Sequence, residues 1–247
     1  MTVLEARDVG FAYRGSAPVL TDVSVAVTEG RSVALVGESG AGKTTLLRLL
    51  LGLARPTSGA VLFDGADVRS AGQAFRRSVQ TVFQDPYSSL DPRQRIGRIV
   101  AEPLRSLRIP GDRGAAVAAA LDAVGLPADV VDRYPHEFSG GQRQRIAIAR
   151  AIVCRPRVLL ADEPVSALDV STRVRIVDLL AELRETRGLT LVMVSHDLAV
   201  VATLCSQTAV LEGGRIVEQG DTASVLGAPG HAYTRRLVAS VPRLPAV

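Results

Sequence analysis

The chain has 247 residues, of which 47% are hydrophobic, and its 29 basic and 25 acidic residues give a formal net charge of +4. This length allows one large or two small domains with a substantial core, and the modest, interspersed charge gives no basic stripe for nucleic acid. No run of about 18 apolar residues lacks charges, and the first residues lack a signal peptide's apolar core. We therefore expect a cytosolic protein with no transmembrane segment and no nucleic-acid partner.

The first 36 residues are rich in β-branched side chains. Segments 3–9, 23–27 and 32–36 predict strands, with a turn at 15–18 between the first two. Tyr13 lies just before this turn. An aromatic ring in that place either stacks on a nucleotide base or is half buried as an ordinary strand residue.

The predicted strand at 32–36 leads into Gly-Glu-Ser-Gly-Ala-Gly-Lys-Thr-Thr at 37–45, and a leucine-rich predicted helix follows. This order indicates a loop that binds phosphate, although a glycine turn before a helix can also arise by chance. The glycines let backbone N–H groups point inward, and the helix start adds a positive dipole end. Lys43, the only lysine in the chain, can contact the β- and γ-phosphates, and the Thr44 hydroxyl can bind Mg²⁺.

Two further strands are predicted at 60–65 and 78–83, and Gln84 comes at the end of the second. A neutral amide there can contact a metal-bound or attacking water, but an ordinary loop residue is the alternative. Residues 90–137 have no strand pattern, which suggests a helical subdomain inserted into an α/β pattern. Its helices are predicted at 96–107, 115–124 and 128–134.

A second glycine-containing segment, Ser139 to Gln142, precedes a predicted helix at 143–154. Ser139 is a suitable N-cap residue, and Gly140 and Gly141 leave room for a ligand at the helix start. This would be a second helix terminus able to bind an anion. The arginines of the helix belong either to such a site or to a solvated face, which is their commoner role.

An apolar strand predicted at 158–163 ends in two acids, Asp162 and Glu163. In a phosphate-loop protein the first acid holds Mg²⁺, and the next is placed to polarise a water for attack on the γ-phosphate. The alternative is that the two acids simply end a strand. A solvated surface pair is disfavoured by the apolar run before them.

A helix is predicted at 171–187, with apolar residues that include Val174 facing the core, and a buried strand follows at 190–194. His196 comes directly after this strand. If the strands are parallel, His196 lies at the same sheet edge as the phosphate loop, where it can sense the γ-phosphate. A lone histidine is otherwise usually structural.

The C-terminal part predicts a hairpin across Gly213 and Gly214, and then a short helix at 231–237 before a proline-containing end. Cys154 and Cys205 are far apart in the sequence and match no metal-binding spacing. Two free thiols in a reducing compartment are the expectation.

These features, taken in order, resemble the ATP-binding cassette (ABC) ATPases over essentially the whole chain. They are the phosphate loop, Gln84, Ser-Gly-Gly-Gln at 139–142, Asp162-Glu163, Asp169 and His196. The Ser-Gly-Gly-Gln signature just upstream of the acidic strand is highly specific to that family. The resemblance implies an α/β phosphate-loop NTPase cassette with a mostly parallel core sheet, an N-terminal antiparallel β subdomain and an inserted α-helical subdomain.

Several segments are similar to the oligopeptide, dipeptide and nickel importer branch of that family. They are Val-Phe-Gln-Asp-Pro-Tyr-Ser-Ser-Leu-Asp-Pro-Arg at 82–93, Tyr-Pro-His-Glu-Phe at 134–138, Pro-Val-Ser-Ala-Leu-Asp-Val-Ser at 164–171 and His-Ala-Tyr-Thr at 231–234. Some members of the branch carry a cysteine cluster for an iron–sulfur centre near the C-terminus. This sequence has no such cluster, so we predict no iron–sulfur cofactor.

The resemblance also implies a sandwich dimer with two ATP molecules at its interface. Tyr13 would stack on adenine, and the phosphates would be held by Gly37, Glu38, Ser39, Gly40, Ala41, Gly42, Lys43, Thr44 and Thr45. Thr44 and Gln84 would ligate Mg²⁺ with support from Asp162, Glu163 would be the catalytic base, and His196 would hold the γ-phosphate. The partner's nucleotide would be contacted by Ser139, Gly140, Gly141 and Gln142, and Asp169 would link the two sites.

The expected organisation is one ABC ATPase domain over 1–247. The RecA-like core with the β subdomain would comprise 1–89 and 156–230, the helical subdomain 90–155, and a short C-terminal tail 231–247. The expected function is ATP hydrolysis that drives uptake of peptides, or of nickel or other metal complexes, at the cytoplasmic face of the cell membrane. The implied partners are a second, identical or related ATPase subunit, two integral-membrane permeases and an extracytoplasmic substrate-binding protein.

The alternative is the ATPase of an exporter or lipoprotein-release system, or a soluble ABC ATPase outside transport. The soluble members are disfavoured because the sequence has one cassette, no long coiled coil and no cysteine zinc module. An exporter is separated only by the importer-like segments. The sequence does not identify the substrate.

Overall fold

The computed structural model describes residues 1–240, so the proline-containing end of the predicted tail, 241–247, lies outside the described residues. Two units are distinguished by their internal contacts: residues 1–70 with the chain from Val192 onward, and residues 71–191. The strands of the described chain are β1 (Thr2–Ala12), β2 (Pro18–Thr28), β3 (Val33–Val36), β4 (Ser58–Phe63), β5 (Ala66–Asp67), β6 (Val79–Val82), β7 (Val158–Asp162), β8 (Thr190–Val194), β9 (Gln207–Glu212) and β10 (Arg215–Asp221).

The helices lie between these strands and after the last of them. They are α1 (Lys43–Leu50), α2 (Gly72–Ser78), α3 (Pro86–Ser89), α4 (Ile96–Val100), α5 (Glu102–Ser106), α6 (Arg113–Asp122), α7 (Gly140–Ile152), α8 (Val170–Arg187), α9 (Leu198–Leu204), α10 (Thr222–Gly227) and α11 (Ala232–Ala239). Within the described residues, no helix is both long and apolar enough to cross a membrane.

The first unit contains an antiparallel sheet and a mostly parallel one. In the antiparallel sheet the strand order is β2-β1-β4-β5. In the other, β3 lies between β8 and β9 and runs parallel to both, and β10 pairs antiparallel with β9 across the Gly213-Gly214 turn. All four residues of β3 are buried, as their apolar, β-branched sequence predicts. The predicted α/β class, with an N-terminal antiparallel sheet and parallel core strands, is confirmed.

The second unit contains the parallel pair β6 and β7, and α3 to α7 lie between these two strands in the sequence. The helix α7 buries an apolar face that includes Ile146 and Ile148. The helix α8 ends at Gly188, whose φ of 63° is a left-handed conformation that glycine adopts at low cost and that commonly terminates helices. A helical segment therefore interrupts the α/β pattern of the chain, as predicted.

Three local predictions need correction. The helix predicted at 96–107 is two short helices, α4 and α5, because Pro103 lies at the start of α5 and its nitrogen cannot donate a hydrogen bond to a continuing helix. The helix predicted at 128–134 is a 3₁₀ turn over Ala128–Asp132. Val174 was expected in the core but is 55% exposed, and the buried face of α8 includes Ile176 and Leu179 instead.

Candidate functional site

The phosphate loop connects β3 to α1 in the first unit, and its glycines have backbone conformations that a side chain would disturb. Gly37, Gly40 and Gly42 have φ values of 151°, 82° and 104°. A Cβ at Gly37 would lie 2.3 Å from the carbonyl oxygen of Leu211, and one at Gly42 would lie 2.6 Å from Cδ2 of Leu20. The tight turn predicted from the sequence is therefore also a close packing of backbone against neighbouring strands.

Lys43, the first residue of α1, is held at the beginning of this loop. The residue is 7% exposed, and its ammonium donates hydrogen bonds to the carbonyl oxygens of Gly37 and Glu38, each at 2.7 Å. A compact ammonium fits between two carbonyls in this way, whereas a planar guanidinium would not. The structure thus places the only lysine of the chain inside the predicted cradle.

The donors of this loop suit a phosphate group. The N-cap of α1 is Gly42, which has no side chain to accept hydrogen bonds from the first N–H groups of the helix. Ser39, Gly40 and Thr44 are exposed, so a phosphate can approach the loop and the hydroxyl of Thr44. The loop therefore combines three features that suit the phosphates of a nucleotide: glycines at 37 and 42 where a Cβ would not fit, a lysine ammonium, and a helix start without a side-chain cap.

Tyr13 lies beside the start of α1, just past the end of β1. Its hydroxyl is 3.4 Å from the hydroxyl of Thr45, and its ring packs edge-on against Phe11 with centroids 4.9 Å apart. The ring remains 45% exposed. The structure therefore brings Tyr13 next to the phosphate loop with surface left for a base to stack on.

His196 is at the same edge of the sheet as the phosphate loop. The strands β3 and β8 are parallel, with Leu35 opposite Val194, so both chains leave the sheet in the same direction. The N–H of Ser195 continues this pairing by donating to Leu35 at 3.3 Å. His196 itself is exposed just before α9.

Gln84 and Glu163 are brought together in the second unit. The strands β6 and β7 are parallel with Val82 opposite Ala161, so the residues that follow them emerge side by side. The amide Nε2 of Gln84 donates to Oε2 of Glu163 at 3.0 Å and lies 3.4 Å from the hydroxyl of Ser166. Two residues 79 positions apart thus form one polar cluster.

The backbone of Glu163 has an unusual conformation. Its φ is 45°, in the left-handed region that side chains other than glycine rarely adopt. The carbonyl of Glu163 accepts hydrogen bonds from the N–H and the hydroxyl of Ser166, which hold the turn. Strained backbone of this kind concentrates at functional sites, where it aims a side chain.

The signature segment starts α7 with the predicted cap. The hydroxyl of Ser139 accepts from the N–H of Gln142 at 3.4 Å, and Oε1 of Gln142 accepts from the N–H of Ser139 at 3.0 Å. This reciprocal capping box fixes the helix start. Gly141 packs closely on α8, because a Cβ added there would lie 2.3 Å from Cγ2 of Thr172.

Asp169 caps α8 next to this contact. Its carboxylate accepts from the N–H of Thr172 at 3.0 Å and from the hydroxyl of Ser171 at 2.7 Å. These hydrogen bonds, the backbone one first, lower the pKa of Asp169 to about 2, so the carboxylate stays charged at neutral pH. The second unit therefore brings the start of α7 and the start of α8 together at Gly141.

The residues predicted to hold Mg²⁺ offer a hydroxyl, an amide and a carboxylate: Thr44, Gln84 and Asp162. Hard oxygen donors of this kind suit Mg²⁺, which keeps several waters and is commonly held through one or two protein groups and substrate phosphates. Asp162 is the last residue of β7, at the carboxyl end of the strand where such an acid is expected. Within the described residues, no cluster of three or more His, Cys, Asp or Glu side chains forms a further metal site.

Three contacts of the site were not predicted from the sequence. They are the hydroxyl of Ser166 near Gln84, the methyl of Thr172 against Gly141, and the hydroxyl of Tyr233, which accepts from the N–H of Glu38 at 2.8 Å. Tyr233 belongs to the His-Ala-Tyr-Thr segment that was noted only as a feature of the importer branch. All three contacts are long-range, so no local pattern reports them.

Comparison with known proteins gives a family match and close relatives. The family model described as ABC transporter matches residues 20–166. The oligopeptide transport ATP-binding protein OppD of Mycobacterium tuberculosis is 48% identical over 234 residues, which cover 93% of this chain and 38% of that protein. The putative peptide import ATP-binding protein BAB2_0818 of Brucella abortus is 46% identical over 230 residues, covering 91% of this chain and 73% of that protein.

A third relative, the glutathione import ATP-binding protein GsiA of Shigella flexneri, is 50% identical over 226 residues, covering 89% of this chain and 36% of its own length. This chain therefore spans less than two fifths of the OppD and GsiA relatives and about three quarters of the Brucella protein. The names of the Brucella and Shigella relatives describe import and that of OppD describes transport, which favours the importer reading over the exporter and soluble alternatives.

Solved structures of the same fold are also similar. The cbiO1 protein of Clostridium perfringens, described as part of the ABC transporter complex cbiONQ, has a TM-score of 0.82 and 28% identity, covering 92% of this chain and 91% of that one. The ATP-binding cassette MJ0796, described as dimeric in a post-hydrolysis state with ADP and Pi, has a TM-score of 0.77 and 29% identity, covering 89% and 98%.

Proposed function

Because this chain belongs to the ABC transporter family, we propose that it is the ATP-hydrolysing subunit of an importer for peptides. The observation that carries the ATP part is the phosphate loop, in which the glycine conformations, the uncapped helix start and the enclosed ammonium of Lys43 form a cradle for phosphate. The relatives' names support the importer part. Their cargoes, oligopeptide, peptide and glutathione, share peptide chemistry, whereas nickel has no support from them.

In this proposal ATP is the substrate, and Lys43 exchanges its two carbonyl partners for the β- and γ-phosphates. Tyr13 supports the base, and His196 contacts the γ-phosphate. Mg²⁺, when held by Thr44 and Gln84 with support from Asp162, would neutralise charge on the phosphates.

Glu163 acts as the base. It takes a proton from a water whose oxygen bonds to the γ-phosphorus, while the bond from that phosphorus to the bridging oxygen breaks and its electron pair leaves with ADP. The hydrogen bond from Gln84 holds the Glu163 carboxylate in one orientation. ADP and inorganic phosphate are the products.

The second helix start, at Ser139 to Gln142, is assigned to the nucleotide of a partner ATPase subunit, and Asp169 to the link between the two sites. The capping box and the close packing at Gly141 support this assignment because they give the start of α7 one fixed position, in which the box uses the N–H groups of Ser139 and Gln142 but not those of Gly140 and Gly141. ATP binding then closes the dimer and hydrolysis reopens it, through contacts that only the γ-phosphate makes. Two permease subunits in the membrane and an extracytoplasmic substrate-binding protein complete the importer, with this chain at the cytoplasmic face of the membrane.

The test of the catalytic part is Glu163→Gln, with Glu182→Gln on the exposed side of α8 as the matched control. The Glu163 variant keeps its shape but loses the base, so its ATPase rate should fall by roughly 10²–10⁴-fold while it still binds Mg-ATP and elutes as a dimer. The control should hydrolyse like the wild type. Wild-type turnover by Glu163→Gln would remove this residue from the role of base.

The test of the transport part is a pull-down of the tagged protein from detergent-solubilised membranes. Recovery of two polytopic membrane proteins, with or without a related ATPase, is expected. If the protein instead stays soluble and co-purifies with ribosomes or nucleic acid, the proposal of an ATPase stands but the proposal of an importer is refuted.

A further inference from the structure

The C-terminal helix α11 contacts the phosphate loop directly within the first unit. Tyr233 is 3% exposed, and its hydroxyl accepts a hydrogen bond from the N–H of Glu38 at 2.8 Å. Glu38 is the second residue of the loop, 195 positions away in the sequence. Burial raises the pKa of the Tyr233 phenol above its ordinary value, so the oxygen accepts as a neutral hydroxyl.

Tyr233 and Lys43 together bind the two polar atoms of one peptide group. The peptide that joins Gly37 to Glu38 has its carbonyl oxygen bound by the Lys43 ammonium at 2.7 Å and its N–H bound by the Tyr233 hydroxyl. When Lys43 turns to a phosphate, the carbonyl loses this partner. The hydrogen bond from the Glu38 N–H to the Tyr233 hydroxyl then remains and keeps this peptide in place.

The helix that carries Tyr233 is itself tied to the β9–β10 hairpin. The carboxylate of Glu218 accepts from the N–H groups of Gly230 and His231 at 2.7 and 2.9 Å, just before α11. Arg236 on α11 pairs with Glu212 at the end of β9 at 3.2 Å. Exposed pairs like this are individually weak, but together they set where α11 lies on the hairpin.

The same hairpin also touches the beginning of the loop. Gly37 packs so closely on the carbonyl of Leu211 in β9 that a Cβ there would lie 2.3 Å from it. The loop start is therefore fixed from two sides, by β9 through Gly37 and by α11 through Tyr233.

We propose that Tyr233 is a positioning residue for the phosphate loop: it holds the Gly37–Glu38 peptide while Lys43 engages the phosphates, and in this way α11 sets the affinity for nucleotide. The loop-holding part stands on the contacts above, and the affinity part rests on the proposed ATP function. Tyr233 acts through the backbone of the loop and not on the reacting atoms.

The test is Tyr233→Phe in the full chain, which removes one oxygen and keeps the ring. It leaves the Glu38 N–H without its acceptor, so hydrogen exchange at that amide, followed by NMR, should become about tenfold faster. The affinity for Mg-ATP, measured by calorimetry, should weaken by roughly fivefold, while the ATPase rate at saturating ATP stays within about twofold.

The matched control is Leu237→Ala on the same helix. Leu237 is half-buried, so its truncation weakens the packing of α11 but keeps the phenol. This variant should melt at a lower temperature without faster Glu38 exchange and without weaker nucleotide binding.

Each outcome decides a separate point. Unchanged Glu38 exchange in Tyr233→Phe overturns the proposal, as does an equal loss of affinity in Leu237→Ala, which would assign the effect to helix stability. A wild-type chain that binds no ATP would instead refute the proposed function, and Glu38 exchange would still decide whether Tyr233 holds the loop.

Discussion

Replacing Gly141 with alanine tests why the helix α7 begins with two glycines. A Cβ at Gly141 would lie 2.3 Å from Cγ2 of Thr172, whereas the nearest atom to a Cβ at Gly140 is 3.9 Å away. Overpacking costs about 1–3 kcal/mol, and an approach of 2.3 Å, far inside ordinary contact, belongs to the upper half of that range, about 2–3 kcal/mol. The better helix propensity of alanine offsets up to about 1 kcal/mol. Gly141→Ala should therefore lower the free energy of unfolding by about 1–2 kcal/mol, and Gly140→Ala, the control, should not lower it.

A second substitution identifies the cause. Thr172→Ser removes the Cγ2 methyl and keeps the hydroxyl, and the remaining atoms would lie 3.6 Å from the new Cβ, an ordinary contact. Chemical denaturation should therefore find Gly141→Ala combined with Thr172→Ser as stable as Thr172→Ser alone. A Gly141→Ala variant of wild-type stability, or a double variant that stays destabilised, would refute the packing argument.

The ATPase rate of the double variant separates packing from ligand contact. If Gly141 were needed only for its fit against Thr172, activity would recover together with stability. The proposed function instead brings the backbone of Gly141 close to the partner's nucleotide, where a Cβ obstructs the approach. We therefore expect stability to recover while the ATPase rate stays low.

One further variant, with its control, and one measurement on the wild-type chain follow from the structure. Lys43→Arg should lose nucleotide binding, because Lys43 is enclosed in the loop and a wider, planar guanidinium in that space would distort the loop that holds the phosphates. Arg48→Lys, on the exposed face of the same helix, should bind normally in calorimetry. Burial raises the pKa of Cys154 to about 11, so at pH 8 only about one thiol in a thousand is ionised. The rate at which Cys154 is alkylated, followed by mass spectrometry, should therefore rise about tenfold per pH unit from pH 8 to 10. A rate that reaches half of its maximum near pH 8.5 would contradict this.

The elements that local sequence determines were predicted well. The run at 190–194 is the strand β8 over the same residues, because β-branched and apolar residues between Gly188 and Ser195 fit a short buried strand. Ser139 caps α7 as its position before two glycines and a glutamine indicates. Where a single residue changes the backbone, as Pro103 does between α4 and α5, the apolar pattern alone predicted one continuous helix.

The site was predicted as a set of residues but not as a set of contacts. Lys43 inside its loop follows from neighbours a few residues away, so the sequence order is enough to place it. The bond between Gln84 and Glu163 depends on which strand lies beside which, and the bond between Tyr233 and Glu38 depends on where α11 docks. Strand order and helix docking are decided by tertiary packing, which no window of sequence contains.

The pairing of Gln84 with Glu163 explains why an amide suits position 84 better than an acid. The amide has two kinds of polar atom: its nitrogen donates to the Glu163 carboxylate at 3.0 Å, and its oxygen is the atom that can ligate a cation. A glutamate at position 84 could offer an oxygen to a cation but would place a second negative charge beside Glu163. Two carboxylates at that distance repel each other, and the proposed base would lose the hydrogen bond that the amide donates to it. In the proposed mechanism, one neutral side chain therefore meets two opposite electrostatic demands: its nitrogen supports the proposed base, and its oxygen is left for a cation.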